Sequence, residues 1–276
     1  MVKANGYTIS SFPDGTPLIK KDLHTQLSMD VVDIIWTFES MAELPMVIMI
    51  ANDAKGRGAP IQLFMPYVPN ARMDRAYRDE DVFTLKWFAS EINKCGFSRV
   101  VVFDVHSDVA PALIDHCEVH TPINEICEII KNTGPDVIYF PDAGAMKRYE
   151  ETVHWALDRA KCSAYIIHGD KKRDWATGKI LGLDIVGEVK PGEKVLMIDD
   201  ICSYGGTMFY SAKKLKELGA GDIDMYVSHC ENSILDSERG HLFDNPELIH
   251  MVYTTDSIFT GHHDKITVFE HKWDED

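Results

Sequence analysis

The sequence predicts an α/β fold with mostly parallel sheets. Short runs rich in valine, isoleucine and phenylalanine alternate along the 276 residues with longer segments in which apolar residues recur at helical spacing. Such alternation is typical of doubly wound domains, in which crossover helices join parallel strands. Both halves of the chain show the pattern, and in each an apolar strand is followed by acidic residues. We therefore expect two related domains.

The individual elements are predicted from these patterns in chain order. Apolar runs predict strands at 46–50, 61–65, 99–103, 137–140, 164–167, 195–198 and 223–227. Helical spacing predicts helices at 81–94, 122–131, 145–160 and 207–218. Gly134-Pro135, shortly after Lys131, is a helix-ending signal between the two halves. The predicted domains are residues 1–132 and 133–276.

Charge and composition exclude several classes of function. A net charge of −16 argues against a nucleic-acid-binding surface. The N-terminal residues lack an apolar signal core, and the apolar run from Leu44 to Ala51 is too short to cross a bilayer. The six cysteines are scattered singly in apolar surroundings, which favours reduced thiols. The sequence thus predicts a cytoplasmic protein that binds neither nucleic acid nor membrane.

The clearest chemical signal is a glycine-containing turn between a predicted strand and a predicted helix. The strand at 195–198 leads into Asp199 and Asp200, and the turn that follows contains Gly205 and Gly206. Paired glycines let backbone N–H groups turn toward an anion, and the start of the next helix adds a favourable dipole. The two carboxylates suit the hydroxyl groups of a sugar. The turn therefore predicts a ribose-phosphate site, and a plain connection that ends a buried strand is the alternative.

A second candidate site follows the strand at 99–103. Asp104, His106 and Asp108 fall on one side of the chain if it stays extended, and Asp142 follows the next predicted strand. A histidine with carboxylates can hold Mg²⁺, whose remaining ligands are then waters and phosphates. A structural His–Asp pair at a strand end is the alternative, and the residues alone leave both open.

Two predicted loops supply the positive charge that a phosphate-rich substrate needs. The loop from Pro66 to Asp81 contains Arg72, Arg75 and Arg78, which can bind polyphosphate oxygens bidentately. The segment from Gly169 to Lys179 lacks apolar periodicity and predicts an exposed loop that closes over anionic substrates. For both, the alternative is a solvated loop with paired charges.

These segments, in this order, resemble the ribose-phosphate pyrophosphokinase (phosphoribosyl pyrophosphate synthetase) family. The similarity runs from about Phe12 to about Asp256, and the last matching segment resembles the ribose-phosphate loop of type I phosphoribosyltransferases. The matching segments are Phe12-Pro13-Asp14-Gly15, Ala71-Arg72-Met73-Asp74-Arg75, Asp104-Val105-His106-Ser107, Pro141-Asp142-Ala143-Gly144-Ala145-Met146-Lys147-Arg148 and the run from Asp199 to Thr207.

The resemblance implies two type I phosphoribosyltransferase-like domains and a Mg²⁺-dependent reaction. In that reaction the β,γ-diphosphate of ATP moves to the anomeric hydroxyl of ribose 5-phosphate, and AMP is released. The resemblance also implies a homodimer or larger homo-oligomer, because the family's loop matching residues 12–14 reaches ATP bound by a neighbouring subunit.

The resemblance further implies a set of site residues. The implied ATP-binding residues are Phe12, Asp14, Arg72, Asp74, Arg75 and His106. The implied ribose-phosphate-binding residues are Asp199, Asp200, Ser203, Tyr204, Gly205, Gly206 and Thr207. The implied metal ligands are His106 and Asp142, and the implied catalytic residues are Lys171 and Arg173.

Several positions depart from the family pattern. Thr16 and Met73 stand where the family has Glu and Gln, and strict spacing places Gly169 where it has the catalytic lysine. The family's first strand and helix are expected to be missing, so the chain is expected to be a shortened member. Ser203 and Tyr204 replace Asp and Thr in the phosphate loop. An aromatic ring can flank a group attached beyond the phosphate. The sequence therefore leaves two acceptors as alternatives, ribose 5-phosphate and ADP-ribose.

Two other functions remain open. A type I phosphoribosyltransferase needs only the loop at 199–207, which leaves the motifs at His106 and Arg72 without a role. A catalytically silent regulatory homologue fits the shifted lysine, but the intact acidic and histidine motifs weigh against it.

Overall fold

The structure is a computed structural model that describes residues 1–22, 31–76, 78–173, 180–271 and 273. The chain forms two compact units, of which the first is Met1–His120 together with Trp273 and the second is Thr121–His271. This division falls one helix before the predicted domain boundary at 132, because the helix Ile123–Thr133 packs in the second unit. The exact domain boundary stays a prediction.

In the described part of the first unit, the elements follow the order strand–helix–strand after a short N-terminal hairpin. They are β1 (Val2–Ala4), β2 (Tyr7–Ser11), β3 (Pro17–Lys21), β4 (Val32–Trp36), α1 (Leu44–Gly56), β5 (Ile61–Met65), α2 (Thr84–Cys95), β6 (Arg99–Phe103), α3 (Val109–Leu113) and β7 (Cys117–His120). The main sheet has the order β1-β4-β5-β6-β7, with β4 to β7 parallel and β1 antiparallel to β4. Strands β2 and β3 form a separate hairpin.

Helix α1 corrects one prediction, because the sequence pattern predicts a strand at 46–50. Ser40 and Glu43 form a capping box immediately before the helix, and Pro45 lies in its first turn, where a missing N–H costs little. The buried residues of the helix recur three and four positions apart, from Leu44 to Ala54. A five-residue apolar run is too short to show this period, so it does not distinguish a strand from part of a buried helix.

The other predicted elements of this unit are present. Strands β5 and β6 have the predicted bounds, and α2 begins three residues after the predicted start of its helix. Alternate residues of the parallel strands, such as Ile34, Leu63 and Val100, pack with residues of α1, α2 and α3 in one hydrophobic core. Because consecutive strands lie in chain order across the sheet, right-handed crossovers place these helices on the same face.

The second unit has a longer sheet. Its described elements are α4 (Ile123–Thr133), β8 (Val137–Phe140), α5 (Ala143–Ala160), β9 (Tyr165–Arg173), β10 (Ile180–Val186), β11 (Val195–Cys202), α6 (Gly206–Glu217), β12 (Ile223–Cys230), β13 (Met251–Thr255) and β14 (Ile266–Phe269). The strand order is β10-β9-β8-β11-β12-β13-β14, and all neighbours are parallel except β9 and β10. The predicted fold class is thereby confirmed, since both units are α/β with mostly parallel sheets.

Helices cover both faces of this second sheet. Val137 and Tyr139 of β8 pack in a core with α6, whereas Ile138 and Phe140 pack in another core with α4 and α5. Side chains of a strand point alternately to opposite faces, so a strand buried on both sides is apolar at every position. The continuous apolar run at 137–140 follows from this arrangement.

The segment predicted as an exposed loop at 169–179 is in part a strand. Strand β9 continues to Arg173 and pairs antiparallel with β10, with Lys171 opposite Leu183. Residues 174–179 lie outside the described residues. The hairpin explains the missing apolar period. Its strands extend beyond the parallel sheet, and only strands that pack against helices have to be apolar. No helix in the described ranges is long and apolar enough to cross a membrane.

Candidate active site

The strand order of the second sheet reverses between β8 and β11. From β8 the chain passes through α5 to β9 on one side, and from β11 through α6 to β12 on the other. Ligands of open α/β sheets bind in the crevice that such a reversal leaves at the carboxyl ends of the strands. Asp142 follows β8, and Asp199 and Asp200 lie where β11 extends past the end of β8. The fold therefore brings together three residues that the sequence assigns to metal and ribose binding.

Asp142 is the N-cap residue of helix α5. Its backbone is extended, and its Oδ1 accepts the backbone N–H groups of Gly144 and Ala145, each at 3.0 Å. A cap of this kind supplies acceptors to N–H groups that have no partner within the helix. The same carboxylate raises the pKa of Asp199. The cap thus holds a negative charge in place at the edge of the crevice.

Asp199 and Asp200 have different electrostatic surroundings. The pKa of Asp199 is raised well above its ordinary value, first because burial disfavours the charged form and then because Asp200 and Asp142 lie nearby. Asp200 is buried, and its Oδ1 lies 2.6 Å from Nη1 of Arg148 on α5. The Asp199 Oδ1 accepts the backbone N–H of Asp200 at 3.0 Å. This carboxylate cluster favours ligands that supply positive charge or hydroxyl donors.

The phosphate loop, residues 203–207, leads from β11 into α6. Gly205 is the N-cap of α6 and has a φ of +77°, a left-handed conformation that favours glycine. Gly206 and Thr207 form the first turn of the helix, where backbone N–H groups have no partner within the helix. Such donors and the dipole of a helix favour an anion at the helix N-terminus. The local structure is the one that phosphate binding requires.

Residues 231–242, named here the supporting segment, contact the phosphate loop. Ser233 Oγ lies 3.1 Å from Ser203 Oγ and donates to Glu231 Oε2 at 3.2 Å. The loop serine therefore belongs to a hydrogen-bonded chain that ends at a carboxylate. Ser203 stands where the related family has Asp, so a negative charge is present nearby although the loop itself has lost one.

The next two residues of the phosphate loop also contact the supporting segment. Arg239 Nη1 donates to Tyr204 Oη at 3.1 Å, and its guanidinium carbon lies 5.7 Å from the centre of the Tyr204 ring. A Cβ added to Gly205 would lie 3.4 Å from the side chain of Leu242. Three consecutive loop residues therefore depend on one segment for their positions.

Strand β9 passes so close to the end of β8 that residue 169 has to be glycine. A Cβ on Gly169 would lie 2.6 Å from the carbonyl oxygen of Pro141 and 2.5 Å from Tyr139 Oη. The catalytic lysine of the related family, which strict spacing places here, therefore does not fit. The backbone of β9 continues through Lys171 to Arg173 and pairs with β10 there.

In the first unit, Asp104 and His106 follow the end of β6. Asp104 is buried, has a φ of +42°, and donates its backbone N–H to the carbonyl of His120 at 2.9 Å. The chain is therefore not extended here, so the condition under which alternation would place Asp104, His106 and Asp108 on one side is not met. His106 is half-buried in the bend before α3.

The arginine-rich loop of the first unit contains both exposed cations and charge pairs. Arg72 is exposed, and Arg75 Nε lies 3.4 Å from Oδ1 of the buried Asp74. Arg78 lies 3.7 Å from Glu80 across an exposed pair. The alternative of a loop with paired charges thus describes Arg75 and Arg78.

Phe12 and Asp14 lie at the turn of the β2–β3 hairpin. Phe12 is half exposed although it is aromatic. Asp14 Oδ1 accepts the backbone N–H of Thr16 at 2.9 Å, which lowers the pKa of Asp14 and stabilises the turn. The structure thus places both residues at an exposed hairpin tip.

The donor atoms of the crevice suit Mg²⁺. Among the residues that the structure describes, no three His, Cys, Asp or Glu side chains are grouped to hold a metal ion. Mg²⁺ is usually held by one or two carboxylates, with water and substrate phosphates as its other ligands. Asp142 and Asp199 supply carboxylate oxygens, and burial together with the neighbouring Asp200 and Asp142 raises the pKa of Asp199, so a nearby positive charge would offset the repulsion among these carboxylates. His106, the other predicted ligand, belongs to the first unit.

Sequence patterns missed several residues that shape this site. In the sequence Arg148 is only a basic residue of a motif, whereas in the structure it pairs with Asp200. Arg239 and Ser233 belong to no motif and contact the loop only because the chain returns there after β12. Tyr139, near the end of β8, also belongs to no motif. Burial raises the pKa of Tyr139 to about 12, and its hydroxyl donates to Ser211 Oγ at 3.1 Å.

Comparison with known proteins gives consistent relatives. No protein-family model matches the chain. It is 29% identical over 257 residues to a ribose-phosphate pyrophosphokinase of Oceanobacillus iheyensis, a match that covers 91% of this chain and 77% of the relative. It is 32% identical over 192 residues to a ribose-phosphate pyrophosphokinase of Listeria ivanovii, covering 67% of this chain and 57% of the relative.

A solved structure gives the same result for the fold. The phosphoribosylpyrophosphate synthetase of Mycobacterium smegmatis superimposes with a TM-score of 0.73 at 21% identity. The match covers 96% of this chain and 85% of that protein. It shows that the whole described architecture, and not one unit alone, has the fold of that protein.

Proposed function

We propose that this chain, a relative of the ribose-phosphate pyrophosphokinases, transfers the β,γ-diphosphate of ATP to the anomeric hydroxyl of a ribose 5-phosphate moiety and releases AMP. The predicted kinship with this family is confirmed by the curated relatives of that name. Their name denotes the transfer of a diphosphate to ribose phosphate. The site described above supports the same activity in this chain.

The main support for the proposal is the position of the phosphate loop in the second sheet. A helix N-terminus preceded by a left-handed glycine lies directly after the acidic pair Asp199 and Asp200, at the strand reversal. A ribose 5-phosphate bound there has its phosphate on the N–H groups of residues 205–207. Its ring hydroxyls donate to the two carboxylates, which orients the anomeric hydroxyl.

The transfer breaks one bond and forms another at the β-phosphorus of ATP. The anomeric oxygen attacks this phosphorus, and the bond to the α-phosphate oxygen breaks, so AMP leaves. Catalysis of such a step depends on positioning and on cations at the developing charge. Lys171 and Arg173 are the residues we assign to that charge, and they lie on β9 after Gly169, where this strand passes the end of β8.

We assign Mg²⁺ binding to Asp142 in the second unit and to His106 in the first. When bound, the ion neutralises the phosphate charge that the carboxylates of the crevice would otherwise repel. The capped position of Asp142 orients its carboxylate before any ligand binds. We assign Arg72, Asp74 and Arg75 of the first unit to ATP binding, with Arg72 on the phosphates.

The proposal includes a homo-oligomer of at least two chains in the cytoplasm. The hairpin tip with Phe12 and Asp14 is exposed, as a loop that reaches the ATP of a neighbouring subunit has to be. The six cysteines are all free thiols, which fits a reducing compartment.

The acceptor is ribose 5-phosphate or a form in which that phosphate carries a further group, such as ADP-ribose. Tyr204 supports the larger acceptor, because its ring flanks the phosphate loop and stays half-buried. A small threonine in this position serves a terminal phosphate, whereas a phenol offers a surface for a group beyond it.

The test is AMP release from ATP and Mg²⁺ with each acceptor in turn, followed by chromatography and by ³¹P NMR of the product. We expect AMP to appear only with an acceptor, together with a diphosphate on its anomeric carbon. ATP and Mg²⁺ without acceptor serve as the control for simple hydrolysis. Absence of AMP release with every acceptor would contradict the proposal and favour the silent homologue.

A type I phosphoribosyltransferase is the second candidate, favoured by the phosphate loop alone. It consumes a ribose 5-phosphate that already has a diphosphate at its anomeric carbon and releases pyrophosphate. Incubation with that activated sugar and a set of nucleobases distinguishes the two, because only the transferase forms nucleotides without ATP.

A further inference from the structure

We propose that Arg239 determines acceptor specificity by binding the second phosphate of a diphosphate-linked ribose. This inference rests on the proposed function and identifies a residue that would distinguish its two candidate acceptors. No sequence motif includes Arg239, and the contact with the phosphate loop is visible only in the folded chain.

The position of Arg239 is set by the turn of the supporting segment in which it lies. Asp236 Oδ1 accepts the backbone N–H groups of Glu238 and Arg239, at 2.9 and 3.2 Å. The following residue, Gly240, donates its N–H to the Asp236 carbonyl at 2.7 Å. A Cβ on Gly240 would lie 3.2 Å from the carbonyl oxygen of Tyr204, so the turn lies directly against the loop.

The Arg239 side chain projects from this turn to the side chain of Tyr204. One guanidinium nitrogen donates to the phenol at 3.1 Å, which raises the pKa of Arg239 further above its ordinary value and keeps the group charged. Arg239 is otherwise exposed. A guanidinium has five N–H donors in a planar fork, so a bond to one phenol oxygen leaves the geometry for bidentate binding of a phosphate.

The distance along the chain between the two phosphate-binding groups is short. Tyr204 directly precedes Gly205, the N-cap residue of helix α6, and we assign the 5-phosphate to the N-terminus of that helix. In a diphosphate the second phosphorus is one bridging oxygen away from the first. A cation held at the side chain of residue 204 therefore belongs to the same loop as the 5-phosphate site, and we assign to it the phosphate that follows the 5-phosphate.

The charge of the second phosphate makes such a cation necessary. The chain has a net charge of −16, and the crevice beside the loop contains three carboxylates. A terminal 5-phosphate is satisfied by the helix N-terminus alone, whereas a diphosphate brings a further negative charge into this surrounding. Arginine suits it better than lysine because its fork matches two phosphate oxygens.

The test compares the kcat/KM of the full chain for ADP-ribose and ribose 5-phosphate, measured by AMP release, in Arg239→Gln and Tyr204→Phe. We expect Arg239→Gln to lower the value for ADP-ribose about tenfold, through KM, and that for ribose 5-phosphate by less than about twofold. Tyr204→Phe, which removes only the hydroxyl group that accepts from Arg239 and keeps the ring, should shift the same ratio by about threefold. Arg159→Gln, which removes an exposed arginine of α5 bonded to Asn124, is the matched control and should change neither value.

Each other outcome overturns the inference. Equal losses for both acceptors would show that Arg239 only supports the loop, and unchanged values for both would show that it contacts no acceptor. If the parent chain releases no AMP with any acceptor, the proposed function fails by itself. Calorimetry of ADP-ribose binding then decides the role of Arg239: a loss of about tenfold in Arg239→Gln supports it, and equal or absent binding rejects it.

Discussion

The two units contain the same kinds of element but order their strands differently. In the first, β4 to β7 cross the sheet in chain order, and α1 to α3 share one core. In the second, the order reverses between β8 and β11, and helices cover both faces. A reversal separates the starts of two helices and leaves a crevice between them. Only the second arrangement therefore provides a ligand crevice by topology, in the part of the chain that the structure describes.

The same local pattern has different results in these two settings. Phe103-Asp104 and Phe140-Pro141-Asp142 both consist of a strand end followed by an acid. Asp104 is buried in a left-handed bend, whereas Asp142 caps a helix of 18 residues. The difference teaches that the same local pattern gives a buried bend in one unit and a helix cap beside the strand reversal in the other, according to the strand order around it.

The largest expected effect concerns Asp142, whose charge and cap are separable. Asp142→Asn keeps an acceptor for the N–H groups of Gly144 and Ala145 but removes the charge. We expect AMP release to fall about a hundredfold or more, as for the loss of a main electrostatic group, with an unchanged melting temperature. Asp142→Ala should lose the activity and also about 1 kcal/mol of stability. Full activity of Asp142→Asn would show that the charge of Asp142 in this crevice is not required for the reaction.

Packing at the edge of the crevice gives the next largest effect. Gly169→Ala places a methyl group 2.6 Å from the Pro141 carbonyl, so β8 or β9 has to move. We expect a loss of about 2 kcal/mol in the free energy of unfolding, measured by urea denaturation. The control is Gly182→Ala on β10, where nothing lies within 4 Å of the added carbon. Similar stabilities of the two variants would show that the close approach of β9 is not required.

The pKa of Asp199 predicts that the second unit loses stability as the pH rises. Because the folded chain raises this pKa above the ordinary 3.8, it binds the proton more tightly than the unfolded chain. The resulting stabilisation is present below about pH 4 and is lost as the pH rises through the raised pKa. Asp199→Asn should therefore be more stable than the parent by about 1 kcal/mol at pH 8 and equal to it at pH 4.

Chemical denaturation at the two pH values, with and without Mg²⁺, measures this difference. Added Mg²⁺ should stabilise the parent more than Asp199→Asn, because the ion offsets the carboxylate charge. A variant less stable than the parent at pH 8 would show that the charge of Asp199 is not unfavourable in the folded chain.

The first unit has a carboxyl group with the opposite shift, and its effect is the smallest. Glu118 accepts two hydrogen bonds of 2.8 Å from Arg99, and this pair, with His120, lowers its pKa from 4.5 to about 2. Its stabilisation is present above pH 4.5 and is lost as the pH falls toward 2. The pair is exposed and screened, so Glu118→Gln should cost only about 0.5 kcal/mol at pH 7.

The measurement for Glu118 is urea denaturation of the parent and of Glu118→Gln between pH 7 and pH 2. The difference should shrink as the pH falls, whereas that of Asp199→Asn should shrink over a range that begins at higher pH. A constant difference at all pH values would show that the glutamine disturbs packing and not charge. Glu217→Gln, which breaks an exposed ion pair with Lys214 on α6, is the control.

The sequence by itself determined the fold class, most of the elements and the phosphate loop. Apolar runs predicted β5, β6 and β8 with their observed bounds, and the glycines after Asp200 predicted the turn before α6. These features are local, because a strand period or a left-handed glycine is a property of neighbouring residues. The sequence motifs also indicated the similarity to the ribose-phosphate pyrophosphokinases, because the motifs of that family are short segments in a fixed order.

The tertiary structure decided the features that depend on residues far apart in the chain. Helix α1 has an apolar run that also suits a strand, and only its packing against the first sheet distinguishes the two. The pairing of Arg148 with Asp200 and the contact of Arg239 with Tyr204 join separate elements. The crevice itself follows from strand order. No local pattern contains these contacts, because they arise where folding brings distant segments together.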